Sequence, residues 1–370
     1  MVFCLIAALY TLLAPQVAGQ IESFAEPFLK AKECILHNYV PVRGDDYGHD
    51  GPGIQPWSVN WHTYAGNKPD ALQYCSSTEL LLESLKSGIR MSLNSIALDD
   101  IALENAEESW FQPHRCAFRW FTWRKACQVL GKFSQVYMIG DSMMRHIHHA
   151  LLMLLKDDWQ YGSLPLKLDG LNQYEQCHCD GQFSEHALCR EHIADTATMN
   201  DPRQFGLCMG SSSRPFALHS RERGLYDGYK LMWDNSTCTD LDRPVFIFMG
   251  IGAHHHHEAH RTTGEGISPV MKEIDEAAAA CPHVTFHKAF IGLHAQSRTL
   301  DHKYPGQTRE LMIDFNIEVS RYLREKHAMD YFDPWNLTKN APTSDGYHQL
   351  SDVNLVKAMY LLNYLDMLLG

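Results

Sequence analysis

The chain has no basic block. Its 370 residues carry 32 Lys and Arg against 44 Asp and Glu, a net charge of −12. A nucleic-acid partner needs clustered positive charge to offset phosphate, so that class is set aside. Neutral ligands such as sugars fit this balance, although charge does not select them. Long apolar runs are also missing. The one sustained run, Val2 to Ala14, is shorter than the ~20 apolar residues a membrane-spanning helix needs. No internal repeat or low-complexity segment is visible, which excludes repeat arrays and biased tails.

Charge is absent from Met1 to Gln20 as well. This stretch ends in small residues around Val17-Ala18-Gly19, and it reads as a secretory signal peptide without its charged n-region, cleaved near Ala18 to Gln20. A signal anchor and a buried N-terminal helix are the competing readings. Cysteine is not scarce. There are 11, and removal of Cys4 with the leader leaves ten, an even number that in an exported chain points to disulfides of unspecified pairing. Two sequons, at Asn235 and Asn336, are compatible with glycosylation.

The organisation is expected as follows. A leader occupies 1–20, an N-terminal extension 21–115, and the main domain 116–370. Residues 21–40 read as a short helical entry, 41–56 as a Gly/Asp/Pro-rich loop, and about 78–106 as helix and turn. The Arg43-Gly44-Asp45 triplet reads as a tight turn. Cys116 to Trp123 leads toward a first apolar strand over 135–139. A helix follows over Met143 to Leu155. Residues 156–244, rich in cysteine and turn residues and with a few short strands expected, read as an insertion over the sheet or a cap. Further strands are expected over 245–249, 284–291 and 329–332. Helices are expected over 268–280, 308–327 and 351–369, with Ser351 as N-cap of the last. Strands alternating with helices predict an α/β fold with a parallel sheet covered on both faces.

Ligand sites of such sheets lie beyond the carboxyl ends of the strands. Three features fall there: Gly140-Asp141-Ser142 after the first strand, Gly250 to His257 after the second and Gly292 to His294 after the third. Asp345-Gly346-Tyr347-His348 stands beyond the fourth, ahead of the last helix, so one crevice can collect them all. A serine hydroxyl becomes a nucleophile only beside a base. His348 is the candidate base, and Asp345 the acid that orients it. Ser142 opens a helix, so its own N–H and the positive helix end face a developing oxyanion. The bland alternatives are a capped helix start, a turn aspartate and a surface histidine.

The block Cys116-Ala-Phe-Arg-Trp, Cys127 and Val136-Tyr-Met-Ile-Gly-Asp-Ser-Met-Met-Arg-His146, with the terminal Asp-x-x-His, resembles the PC-esterase branch of the SGNH (GDSL-like) hydrolases. That branch includes the plant trichome-birefringence-like polysaccharide O-acetyltransferases. The resemblance covers about 116–155 and 330–369. It implies a three-layer α/β/α sandwich, with Ser142 as nucleophile, His348 as base and Asp345 as orienting acid. It also implies a glycan substrate, an acyl donor and no cofactor. One departure matters. The superfamily draws an oxyanion-hole Asn from a Gly-x-Asn-Asp block, and here that place reads Gly250-Ile251-Gly252-Ala253-His254. The N–H of Gly252 or the side chain of His254 is the replacement donor. Asp141 and Arg145 join the candidate substrate-binding set. Gly224 is a possible second oxyanion glycine.

Rival constellations exist. His254 to His257 with His260 allow substrate contact, a solvated loop or, third, a metal. Cys177-His178-Cys179 with Cys189 and His192 allow zinc, with disulfides preferred. Arg145 and His146 face either substrate or solvent. Trp120, Trp123 and Trp159 stack on sugars or fill the core. The expected activity is O-acyl, chiefly acetyl, transfer or hydrolysis on carbohydrate hydroxyls in the secretory pathway. The alternatives are a non-catalytic extracellular carbohydrate-binding or adhesion protein on this fold, and a metal-dependent deacetylase.

Overall fold

The computed structural model describes residues 39–41, 54–56, 74–92, 109–116, 118–164, 177–183, 189, 203, 206–222, 242–296, 307–339, 341, 343 and 345–370. The leader, the Arg43-Gly44-Asp45 triplet, Gly224 and the Asn235 sequon lie outside them, as does the helical entry apart from Tyr39 and Val40. Those two open a short strand, Tyr39–Pro41, paired with Ile54–Pro56.

The centre is one five-stranded, wholly parallel sheet. Its strands are β1 (Gln135–Gly140), β2 (Ala217–Glu222), β3 (Val245–Gly250), β4 (Phe286–Ile291) and β5 (Asp330–Phe332), in the order β2-β1-β3-β4-β5. β1 and β3 are buried along their whole length. A parallel strand covered on both faces needs apolar side chains on both, which is why these segments read as continuous apolar runs. Val136, Met138, Phe246 and Phe248 point to one layer. Tyr137, Ile139, Ile247 and Met249 point to the other. The first layer holds α2 (Trp123–Leu130), α3 (Ser142–Lys156) and α6 (Ser351–Leu368). The second holds α4 (Ser268–Ala280) and α5 (Arg309–His327). The result is the expected three-layer α/β/α sandwich.

Several expectations are corrected. Residues 156–244 do hold a short strand, β2, but it joins the central sheet as an edge strand and does not lie in an insertion or cap. Ala-Leu-His-Ser-Arg-Glu mixes polar residues into the strand because an edge pairs on one side only, so no apolar run announces it. The segment after Cys116 enters a helix, α2, before β1; Thr122 caps it by accepting from Lys125 N–H. The region expected as helix and turn holds α1 (Thr78–Lys86) and then a strand, Ile89–Ser92, paired antiparallel with Ser109–Gln112. Ser351 is the first residue of α6. Leu350 is the cap position, and its side chain has no acceptor to offer; the Ser351 hydroxyl donates to Asp180.

Disulfides join Cys75 to Cys116, Cys127 to Cys208 and Cys177 to Cys189. The last removes two thiols from the zinc reading. No cluster of three or more metal-ligating side chains exists among the described residues. No helix among them is long and apolar enough to cross a membrane. The extension packs on the last helix, with Ser84 Oγ 3.2 Å from Tyr360 OH. The second sequon sits in a packed turn, Trp335–Thr338. Asn336 donates to Lys86 O at 2.6 Å there, and Thr338 is buried. Trp120 belongs to the core, and Trp123 and Trp159 pack against it.

Candidate active site

Ser142 stands where β1 turns into α3. Asp141 caps that helix, its Oδ1 accepting from Met143 N–H at 3.0 Å. The turn is tight because Gly140 abuts Gly250 across the sheet; a Cβ on Gly140 would lie 2.2 Å from Gly250 O. The second oxygen of Asp141 accepts Ala253 N–H at 3.1 Å. Burial pushes the Asp141 carboxyl up, while His254, these two N–H bonds and His348 pull it down. Asp141 therefore ties the Ser142 turn to the loop after β3. Both its oxygens are engaged by backbone, and its place is structural, beneath the site.

The terminal segment meets Ser142. Ser142 Oγ lies 2.8 Å from His348 Nε2, and His348 Nδ1 lies 2.8 Å from Asp345 Oδ2. Asp345 Oδ1 accepts from Tyr347 N–H at 2.9 Å and His348 N–H at 2.8 Å, so the four residues Asp345 to His348 close one turn. Burial alone would raise the Asp345 carboxyl. The bonds from His348 and Tyr347 outweigh it and hold the group well below the usual carboxylate range. An ionised carboxylate on Nδ1 takes the ring N–H, which leaves the Nε2 lone pair for the serine proton. Ser142 and His348 are each 8 % exposed, so the pair is largely shielded from bulk water.

Gly252 occupies the place of the missing Asn. Its φ is +155°, and a Cβ there would lie 2.5 Å from Phe315 Cζ. Gly252→Ala therefore adds backbone strain of ~1–3 kcal/mol to overpacking of ~1–3 kcal/mol. Urea denaturation should show a loss of at least ~2 kcal/mol, and an unchanged midpoint would refute the close approach. His254 is exposed, and its influence on Asp141 is to lower that carboxyl. His256 and His260 are also exposed, whereas His255 and His257 are buried. The segment turns twice through left-handed backbone, at His256 and His257, so it is not one helix, and His256 and His260 do not share a helical face at i, i+4.

Arg145 and His146 do not face solvent. Both are buried, with Arg145 Nη2 3.5 Å from His146 Nε2 and the His146 ring 4.9 Å from that of His348. A buried polar shell surrounds the site; it takes in His257 and His294 from the strand-end loops expected there, and Lys357, which sequence reasoning missed. Tyr347 OH lies 3.1 Å from His257 Nε2. Lys357 Nζ donates to His294 Nδ1 at 2.9 Å and to Gln349 Oε1 and Asn354 Oδ1 at 3.2 Å each. Burial lowers the Lys357 amine to about 7. For Lys357 the available signal was a lysine, with Asn354, inside the mainly apolar stretch from Val353 to Leu362.

No protein-family profile and no curated protein sequence matches the chain. Among solved structures it is similar to Est24, a carbohydrate acetylesterase from Sinorhizobium meliloti. Identity is 12%, the TM-score is 0.32, and the match covers 63% of this chain and 99% of that one.

Proposed function

We propose that this protein is a serine-dependent O-acyl hydrolase or transferase acting on carbohydrate esters, acetyl esters foremost. The observation that carries the reading is the unbroken hydrogen-bond chain from Ser142 through His348 to Asp345. Ser142 Oγ attacks the ester carbonyl carbon while His348 Nε2 takes its proton. The C=O electrons move onto oxygen, facing the Ser142 N–H and the positive end of α3. Gly252 N–H is the second donor, and the His254 side chain can approach from the rim. Collapse expels the sugar alkoxide, which receives the proton from His348. Water or an acceptor hydroxyl then attacks the acyl-enzyme, and His348 carries its proton back to Ser142.

The carbohydrate and acetyl assignments rest on the resemblance to PC-esterase sequences. The disulfides and the leader-like N-terminus support a location in the secretory pathway or outside the cell. Two measurements test the reading. Native protein should take a fluorophosphonate label and release acetate from acetylated glycans, and Ser142→Ala should do neither. Dependence of turnover on an added acceptor sugar separates transferase from hydrolase. Sugar binding without labelling would replace the enzyme by a binding protein. Activity retained in Ser142→Ala and lost to chelators would replace it by a metal-dependent deacetylase.

A further inference from the structure

The cysteine-rich segment before β2 touches both helices that frame the site. Cys177 and Cys189 close a loop that carries a short helical turn, Cys179–Phe183. Asp180 on that turn accepts two bonds on one oxygen, from Ser351 N–H at 3.0 Å and from the Ser351 hydroxyl. α6 starts at Ser351, three residues beyond His348, and its own cap position, Leu350, supplies no side-chain acceptor. The first amides of a helix need such an acceptor, and a carboxylate there also meets the positive helix end.

The same turn grips the other side. Gln182 is fully buried. Its Oε1 accepts from Ser163 N–H at 2.9 Å and the Ser163 hydroxyl at 2.8 Å, and its Nε2 donates to the carbonyls of Trp159, Gln160 and Cys179. Gln182 O lies 3.2 Å from His149 Nδ1, on α3. The Phe183 ring stands edge-on to His146, whose ring faces His348. The turn is thus bolted to the helix that begins with Ser142 and to the helix that follows His348.

We propose that Asp180 is a positioning residue, which fixes the start of α6 and so holds His348 at hydrogen-bond distance from Ser142. The disulfide loop carries it. The inference rests on the serine–histidine reading above, and it assigns a role to a segment outside the three site residues. A displaced cap lets the 345–350 turn shift. Proton transfer from serine depends steeply on such a shift, whereas ester binding does not.

The test is turnover per active serine, with a fluorophosphonate titration counting competent sites so that unfolded protein is excluded. Asp180→Ala should lower kcat per titrated serine about 10- to 30-fold, keep KM within about twofold, and slow labelling in proportion. Asp180→Asn retains an oxygen for both Ser351 donors and should stay within about threefold of wild type. If Asp180→Ala does not fold, Ser351→Ala, which removes one of the two bonds, should still cost about threefold in kcat at unchanged KM. Wild-type kcat in Asp180→Ala, or in Ser351→Ala where that variant serves, overturns the inference, as does an Asp180→Asn that fails to rescue. Those results leave labelling of the native protein intact, whereas failure of the native protein to label overturns the underlying reading.

Discussion

Asp345→Asn will lower kcat by roughly 10³–10⁴-fold while the chain stays folded. In the native turn the carboxylate accepts the Nδ1 proton of His348 at 2.8 Å, so Nε2 is the free acceptor 2.8 Å from Ser142 Oγ. A carboxamide in place of that carboxylate can instead donate its NH₂ to Nδ1. The imidazole then carries its proton on Nε2, where it blocks uptake of the serine proton. It also loses the charge that stabilises the imidazolium. The loss corresponds to about 4–5 kcal/mol of transition-state stabilisation, at about 1.4 kcal/mol per tenfold. Folding survives because the carboxamide oxygen can still accept the Tyr347 and His348 N–H groups that Asp345 Oδ1 accepts in the native chain. The check is kcat for acetate release beside the thermal melting curve. A loss below about tenfold with a normal melt would refute the relay. Since Asp345 stays ionised well below the usual carboxylate range, it does not produce an acid limb of the activity profile in mildly acid solution.

The second large effect is acid unfolding driven by histidine. His146, His148, His149, His257 and His294 are all buried, and burial lowers each of them, to about 3 for His148 and about 4 for His257. Their folded values lie below the ordinary ~6.5 of the unfolded chain. The unfolded chain therefore binds protons that the folded chain refuses, and stability rises with pH across that window. The contribution is complete above about pH 6.5 and is lost as pH falls toward the folded values. Each such group costs about 1.4 kcal/mol per pH unit inside the window. Five together exhaust a typical stability of ~5–15 kcal/mol within about one to two units. Asp141, Asp157, Asp180 and Asp333, raised by burial, act in the opposite sense and soften the slope. Circular dichroism against pH should show a midpoint near about pH 5, and His148→Leu should move it downward by a few tenths of a unit. A native signal kept to about pH 4 would mean that these rings take up protons within the fold.

The buried strands were legible because a parallel strand covered on both faces leaves an apolar run, as Val245 to Met249 does. The place of β2 in the sheet was not legible, because its pairing to β1 is made by backbone and its polar residues suit an edge. α2 was read through as part of the lead-in to β1, although Ala126, Cys127, Val129 and Leu130 mark its buried face. Ser142, Asp345 and His348 were legible because local geometry dictates their surroundings: a strand end, a helix start and an Asp-anchored turn. Asp141 and Arg145 lie beside Ser142, yet their side chains turn inward, away from the substrate-facing position expected of them. Which way a side chain points depends on partners elsewhere in the chain, here the amide of Ala253 and the buried ring of His146.

Short-range rules of burial, periodicity and turn chemistry were enough to set the alternation of strand and helix. They also set the turns that end β1 and precede α6, and the residue types able to run acyl transfer. Contacts in three dimensions alone established that Ser142 and His348 meet, that Lys357 shares a buried site with His294, and that Asp180 caps a helix 171 positions away. Such pairings are set by sheet order and by disulfide closure. Neither leaves a periodic trace, because the residues involved share space and not sequence neighbourhood.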